Sequence, residues 1–311
     1  METMINPQVS VVIPCYSTGV RIERLVSSIE ASMAQFPNTA FEIVFVVDGS
    51  PDNTWDFVVA ACKSHENVHG INLMRNFGQH AALLAGIRRA CGNVIITMDD
   101  DLQHDPNDIH KLLAALTSEY DLIYGVSSIE EHSFMRNTSS KMYKWIAQHL
   151  LGLGNARNIT AFRAFRRELA FSFDQVEDPF APLDVLLSWS TTRISFQIVE
   201  MHEREDGKSG YSFRKLVSHA INAITGYSIK PLRMVTYLGL LTFTISLFFL
   251  INLVLRYLAG DITVAGYPSL AIMIALFSGA QLLSLGVIGE YLGRMHVRGM
   301  GKPRYVIRDE T

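Results

Sequence analysis

The sequence predicts an α/β domain with a mostly parallel sheet, followed by an amphipathic interfacial helix and a two-helix transmembrane hairpin. Three observations carry that expectation. From Val9 to Met98, β-branched runs alternate with helical patterns, and each run ends in a polar cluster. Two stretches then carry no charge at all: Met234–Leu255, 22 residues, and Ile262–Gly289, 28 residues. Each exceeds the roughly 20 residues that a helix needs to cross a bilayer core. Basic residues flank the pair: Arg214, Lys215, Lys230 and Arg233 before it, and Arg294, Arg298, Lys302, Arg304 and Arg308 after it. The intervening turn holds only Arg256, so the positive-inside rule puts both ends, and the large N-terminal region, in the cytoplasm.

Taken in order, Val9–Pro14 reads as a short buried strand closed by proline. Ile22, Leu25, Val26, Ile29 and Met33 then share one helical face. Phe41–Val47 is the second strand, ending on the turn cluster Asp48-Gly49-Ser50-Pro51-Asp52-Asn53, which also caps the next helix. Val68–Leu73 is the third strand; Arg75-Asn76-Phe77-Gly78-Gln79-His80 then opens a helix that runs to Ala90. Val94–Met98 is the fourth strand, and it stops on three acidic residues, Asp99, Asp100 and Asp101.

The composition excludes several classes. With 311 residues and 49% hydrophobic content the chain can bury one large core or two smaller ones. A net charge of −3 gives no basic field for nucleic acid. Cys15, Cys62 and Cys91 are widely spaced and form neither a C-x-x-C pair nor an even disulfide framework, which suits a reducing compartment. The polar segment Met1–Gln8 leads directly into a strand, so no secretory signal peptide is expected.

Carboxylates at the end of a buried strand fall on the sheet edge where open α/β folds bind ligands. Asp99 and Asp101 are two apart and share one side of an extended chain, with Asp100 on the other. Such oxygen-only donors suit Mg²⁺ or Mn²⁺, which complete their shells with water and phosphate oxygens. A solvated acidic turn is the competing reading of the triplet. Asp48 is open to two readings as well: an acceptor for the N–H of a nucleobase, or the cap of an Asx turn. Arg75 stands at a helix start, where anions are favoured, or is an exposed charge at a strand end. Two amphipathic helices are expected. In 134–150, Met142, Trp145, Ile146 and Leu150 oppose Lys141 and Lys144; in 213–227, Phe213, Leu216, Val217, Ala220, Ile221, Ile224 and Tyr227 form one stripe.

Four segments carry a resemblance to a known family. Val11-Val12-Ile13-Pro14-Cys15-Tyr16, Val46-Val47-Asp48-Gly49-Ser50-Pro51-Asp52-Asn53-Thr54, the run Arg75–Gly86, and Asp99-Asp100-Asp101-Leu102-Gln103 resemble the family 2 glycosyltransferases of GT-A fold. With the C-terminal hairpin, they look like the polyprenyl-phosphate branch. Gly78-Gln79-His80 and Gly289-Glu290-Tyr291-Leu292-Gly293-Arg294 are most similar to the undecaprenyl-phosphate aminoarabinose transferases; dolichyl-phosphate mannose synthases are more distant.

The resemblance implies a nucleotide-sugar donor, UDP-linked by preference, and a polyprenyl phosphate acceptor. It also implies inversion at the anomeric carbon and a homo-oligomer, a tetramer by analogy, in the bacterial inner membrane. By the same analogy Pro14, Tyr16, Asp48 and Arg75 bind the nucleotide, and Asp100 faces the nucleotide or its sugar. Asp99, Asp101 and Gln103 hold Mg²⁺ or Mn²⁺. Arg204, Lys208, Ser209 and Tyr211 close over the diphosphate or the acceptor phosphate. The implied domains are 1–205 (transferase), 206–233 (basic loop and interfacial helix), 234–293 (two spans) and 294–311 (basic tail).

Two departures stand out. The family's Tyr-Asn-Glu is Tyr16-Ser17-Thr18 here, which removes a carboxylate from the nucleotide pocket. The segment that carries an acidic residue in relatives reads Arg157-Asn158-Ile159-Thr160-Ala161-Phe162-Arg163. A lipid phosphate is already ionised near neutral pH, with a second pKa of about 6, so positioning matters more than a base. Arg163 is the candidate to grip it as a planar fork of donors. Asp184 is the candidate replacement carboxylate, with a helix N-cap as its alternative. A processive synthase is the second enzyme reading, and the chain lacks the Gln-x-x-Arg-Trp segment such enzymes carry. A membrane scaffold with a decayed transferase domain is the non-enzymatic reading.

Overall fold

A computed structural model describes residues 8–127, 159–172, 182–201, 230–259 and 267–311. They fall into two compact units, one containing the described residues up to 201 together with 301–311, the other containing 230–300.

The first unit is an eight-stranded mixed sheet. Its strands are β1 (Val9–Cys15), β2 (Phe41–Val47), β3 (Val68–Leu73), β4 (Val94–Thr97), β5 (Leu122–Ser127), β6 (Arg163–Arg166), β7 (Ile194–Val199) and β8 (Ile307–Glu310), in the order β7-β5-β6-β4-β1-β2-β3-β8. β4, β1, β2 and β3 are mutually parallel, as expected. β6 is antiparallel to both β4 and β5, and β8 is antiparallel to β3, so the sheet is more mixed than the sequence suggests.

Helices cover both faces of the parallel strands. The odd-numbered residues Val11, Ile13, Ile43 and Phe45 share one core with Ile22, Leu25, Val26 and Ile29 of α1 (Arg21–Met33) and Val58 and Ala61 of α2 (Thr54–Ser64). On the other face α3 (Gln79–Arg89) packs so closely that a Cβ on Gly86 would meet the side chains of Val12 and Val46. Two covered faces explain why these strands are continuous apolar runs rather than alternating ones. At the far edge the buried carboxylate of Glu42 accepts from Ser10 Oγ at 2.5 Å and from the Cys91 amide at 2.6 Å. That link fixes where β4 starts, and hence where it ends. The remaining helices of this unit are α4 (Ile109–Ala115), α5 (Arg167–Ser172) and α6 (Leu183–Ser190).

The second unit contains α7 (Lys230–Leu258) and α8 (Tyr267–Gly299), which occupy the two uncharged stretches and contact each other. Among the described residues one window, Leu232–Phe249, is long and apolar enough to cross a membrane, with a mean hydropathy of 1.6 and none of it buried. The segment from 294, expected as a basic tail, instead finishes α8 at Gly299 and then enters the sheet as β8. The expected amphipathic helices 134–150 and 213–227 lie outside the described residues.

Candidate active site

In the order β4-β1-β2-β3 the chain runs one way from β1 and then returns to the other side of it as β4, so β1 and β4 flank the topological switch point. In open α/β sheets the crevice at the carboxyl ends of these strands is where ligands bind. Tyr16 follows β1 there, Asp48 follows β2, Arg75 lies just beyond β3 and Asp99 just beyond β4.

The loops at this edge are cross-tied by carboxylates. Asp48, 4% exposed, accepts the amides of Phe77 at 2.7 Å and Gly78 at 2.8 Å, one on each oxygen. Burial pushes its carboxyl above the usual value, opposed by those two amides and by Arg75. Its neighbour Gly49 has φ +57°, and a Cβ there would overlap the backbone of Arg75 and Asn76. Arg75 is exposed, with its guanidinium 4.2 Å from the Phe77 ring centroid. The N-cap of α2 is Asn53, and the first helical amide, Thr54, donates to Asp52 Oδ1 at 3.1 Å. Asp48 therefore serves as a clamp on the β3–α3 loop rather than as that cap.

Asp100 closes the switch point. Its Oδ2 accepts from the Tyr16 amide at 3.4 Å and from the Thr18 hydroxyl, joining the β4 end to the β1–α1 loop. Burial raises its pKa, against the pull of Thr18, Arg21 and the Tyr16 amide. Ser17, between those partners, and Leu102, on the far side of the triplet, are the described non-glycine residues with positive φ, both +57°. Backbone strain of this kind concentrates at functional sites. Tyr16 is 51% exposed and available to a ligand. Pro14 lies buried in β1, in register with Val46, one residue before the strand ends.

Asp99 and Asp101 are only partly buried. Asp99 Oδ1 accepts from Gln79 Nε2 at 2.6 Å, so the first side chain of α3 orients it. Asp101 Oδ1 accepts from the Gln103 amide at 3.1 Å, and it is this backbone bond, not the Gln103 side chain, that ties the two residues. Among the described residues no three His, Cys, Asp or Glu side chains gather as a metal cluster. A pair of carboxylates fits Mg²⁺ or Mn²⁺ nonetheless, because these ions keep waters and take substrate phosphates instead of filling a protein cage.

Arg163 requires a correction. It was expected to present its guanidinium to a phosphate, yet it is 2% exposed and its fork is occupied. Nη1 pairs with Asp184 Oδ1, Nε donates to Thr97 Oγ1 at 2.9 Å, and the guanidinium lies 5.8 Å from the Tyr124 ring centroid. Tyr124 also donates its hydroxyl to Asp184 at 3.1 Å, and burial with that neighbouring carboxylate raises the phenol pKa. Asp184 is thus the counter-ion of a buried arginine in the first turn of α6, whose N-cap is Pro182. His104, 6% exposed, sits against Phe162 at 5.3 Å, and neither ring nitrogen has a hydrogen-bond partner among the described residues. Burial lowers its pKa, which keeps the imidazole neutral. Gln79, Thr18, Tyr124 and His104 were not singled out as site residues from the sequence; only Gln79 had a signal, in the Gly78-Gln79-His80 triplet. Arg204, Lys208, Ser209 and Tyr211 lie outside the described residues.

The family model of glycosyl transferase family 2 matches residues 10–171, which include the carboxyl ends of β1 to β4. The chain belongs to the family 2 glycosyltransferases. It is 31% identical over 307 residues to the undecaprenyl-phosphate 4-deoxy-4-formamido-L-arabinose transferase of Yersinia pestis, covering 97% of this chain and 93% of that one. An uncharacterized glycosyltransferase of Synechocystis is also 31% identical, over 97% of this chain and 95% of its own. Among solved structures, glucosyl-3-phosphoglycerate synthase from Mycobacterium tuberculosis, in complex with phosphoglyceric acid, superposes with a TM-score of 0.51 at 17% identity. That match covers 70% of this chain and 78% of the synthase, and it shows a common fold. As a member of the family the protein is a glycosyltransferase.

Proposed function

We propose that this glycosyltransferase moves a sugar from a nucleotide-sugar donor, UDP-linked by preference, to undecaprenyl phosphate at the cytoplasmic face of the membrane, with inversion. The observation that carries the reading is the switch-point crevice, where Asp48, Asp100 and Gln79 hold three loops around Tyr16, Asp99 and Asp101. The donor's diphosphate would lie against Asp99 and Asp101, which would hold the divalent ion. A bound Mg²⁺ or Mn²⁺ there supplies charge neutralisation for the departing diphosphate.

An oxygen of the ionised lipid phosphate attacks the anomeric carbon in line. The bond from that carbon to the diphosphate oxygen breaks, and its electron pair leaves with the nucleoside diphosphate. No proton is transferred, which suits a site whose described acidic groups are engaged in holding loops or ligands. The lipid acceptor is supported by the Yersinia relative, similar along nearly its whole length.

Membrane attachment draws support from the exposed apolar side chains along both helices, among them Tyr237, Leu240, Phe243 and Phe248 of α7 and Leu282, Leu283 and Leu292 of α8. Connectivity adds an argument for a hairpin. β8 follows α8 yet pairs with β3, which precedes α7. The chain must therefore return to the side from which it left, so a crossing by α7 requires a second crossing by α8.

The test is a panel of nucleotide sugars incubated with membranes, undecaprenyl phosphate and Mn²⁺, scored for a lipid-linked sugar. One donor should give product, dependent on the divalent ion and of inverted configuration. Product that survives chelation would refute the metal assignment. A companion measurement is the melting temperature with UDP and Mn²⁺; ligand that binds the native state must raise it. No shift at millimolar ligand and no product from any donor would overturn the reading.

A further inference from the structure

The edge strand β8 does more than cover β3. Thr311 donates its amide to the Gly70 carbonyl at 2.9 Å, Asn72 Nδ2 donates to Asp309 Oδ2 at 3.1 Å, and Arg89 pairs with Glu310 at 2.8 Å. The register then slips: Asn72 faces Asp309, but Leu73 faces Ile307, which leaves Arg308 as the extra residue of a bulge. Bulges re-aim side chains. Here Arg308 Nη2 donates to the Met74 carbonyl at 2.9 Å, while the Met74 amide donates to the Val306 carbonyl at 2.9 Å. Both peptide groups of Met74, one residue past the end of β3, are therefore taken by the segment Val306–Arg308.

Met74 leads directly into Arg75-Asn76-Phe77-Gly78, the loop that Asp48 and Gly49 hold from the inner side. The loop is thus gripped at both ends, by a carboxylate beneath the Phe77 and Gly78 amides and by the bulged strand at Met74. Immediately after it, Gln79 orients Asp99.

We propose that Val306–Thr311 positions the donor-side loop, with Arg308 as the positioning residue for nucleotide-sugar binding. The inference rests on the reading of that loop as donor-side. Ladder bonds alone would cover the β3 edge, whereas the Arg308–Met74 bond reaches past the end of β3 to the start of the loop.

The test compares full-length wild type, Arg308→Ala and Arg308→Lys in membranes. Loss of the bond should speed amide exchange at Phe77 and Gly78 by about three- to tenfold, the scale of one solvent-exposed hydrogen bond. KM for the nucleotide sugar should rise by about the same factor while kcat stays within about twofold, the signature of lost ground-state binding. Arg308→Lys, which restores a donor, should recover most of both. Unchanged exchange at the loop overturns the inference, as does faster exchange with an unchanged KM. So does a uniform fall in kcat across both variants, which marks general destabilisation. Absence of any UDP–Mn²⁺ shift or transfer in the wild type itself would indict the functional reading instead, and loop exchange would still decide whether the strand holds the loop.

Discussion

Replacing Arg163 distinguishes its two assignments. As a phosphate grip it would be dispensable for folding; as the buried partner of Asp184 it would not. Arg163→Met removes the ion pair, the bond to Thr97 and the stacking on Tyr124, and leaves Asp184 with the Tyr124 hydroxyl as its hydrogen-bond donor. Breaking a buried pair from one side costs about 3 kcal/mol or more, because the remaining charge is uncompensated. For a unit of this size that corresponds to a fall of about 6–12 °C in melting temperature. Tryptophan fluorescence is a suitable assay, since Trp189 lies on α6 with Asp184 and Trp55 on α2 reports the opposite side of the core. The double variant Arg163→Met/Asp184→Leu should recover about half of the loss or more, since a buried pair exchanged for apolar residues is close to neutral. Single effects that add to the double within about 0.5 kcal/mol would show no coupling. An Arg163→Met protein that melts like the wild type but loses affinity for lipid phosphate would refute the buried-pair assignment outright.

Gly49→Ala should destabilise by about 2 kcal/mol or more and weaken nucleotide binding, because its positive φ and its contact with the Arg75–Asn76 backbone admit no side chain; a melting temperature within error of wild type would exclude that contact. Asp48 has a folded-state pKa above its ordinary 3.8, so the native state binds the extra proton and stability falls as pH rises from 3.8 through the folded value. Urea titrations of Asp48→Asn should show that segment of the pH profile flattened, and an unaltered slope would count against burial as the cause. Asp100→Asn keeps an acceptor for Tyr16 and Thr18 and should retain transfer within about tenfold, whereas Asp101→Asn should lose about a hundredfold or more. Equal losses would show that Asp100 meets the ligand directly.

The parallel half of the sheet was legible because its signals are local. β2 and β3 have the bounds the apolar runs indicate, and all five residues of the α1 stripe are buried. β6 and β8 were not legible. Arg163-Ala164-Phe165-Arg166 and Ile307-Arg308-Asp309-Glu310 are half or mostly charged, and each owes its extended form to a strand already present beside it. In the site, position was legible and partnership was not. A strand that ends on carboxylates puts them at the binding edge, but their hydrogen bonds reach distant residues, 82 positions away for Asp100 and Thr18 and 30 for Asp48 and Gly78. Arg163 misled for a related reason. An arginine is expected at the surface unless it is paired, and its partner Asp184 lies 21 residues on, across an intervening helix.

The acidic residues of the crevice divide by their partners into two kinds. Asp48 and the inward-turned Asp100 spend their oxygens on backbone amides and a hydroxyl, and burial raises both pKa values, as expected of carboxylates removed from water. Those two set the shape of the crevice. Asp99 and Asp101 each have one oxygen engaged, by Gln79 and by the Gln103 amide respectively, in a way that fixes the carboxylate's direction. A divalent ion that keeps its waters needs few protein oxygens, but it needs them preoriented. The run of three aspartates is therefore not redundant acidity. Asp100 ties the β4 end to the β1–α1 loop, while Asp99 and Asp101, on the proposed reading, would hold the divalent ion, so that one short segment would both build the crevice wall and supply its charge.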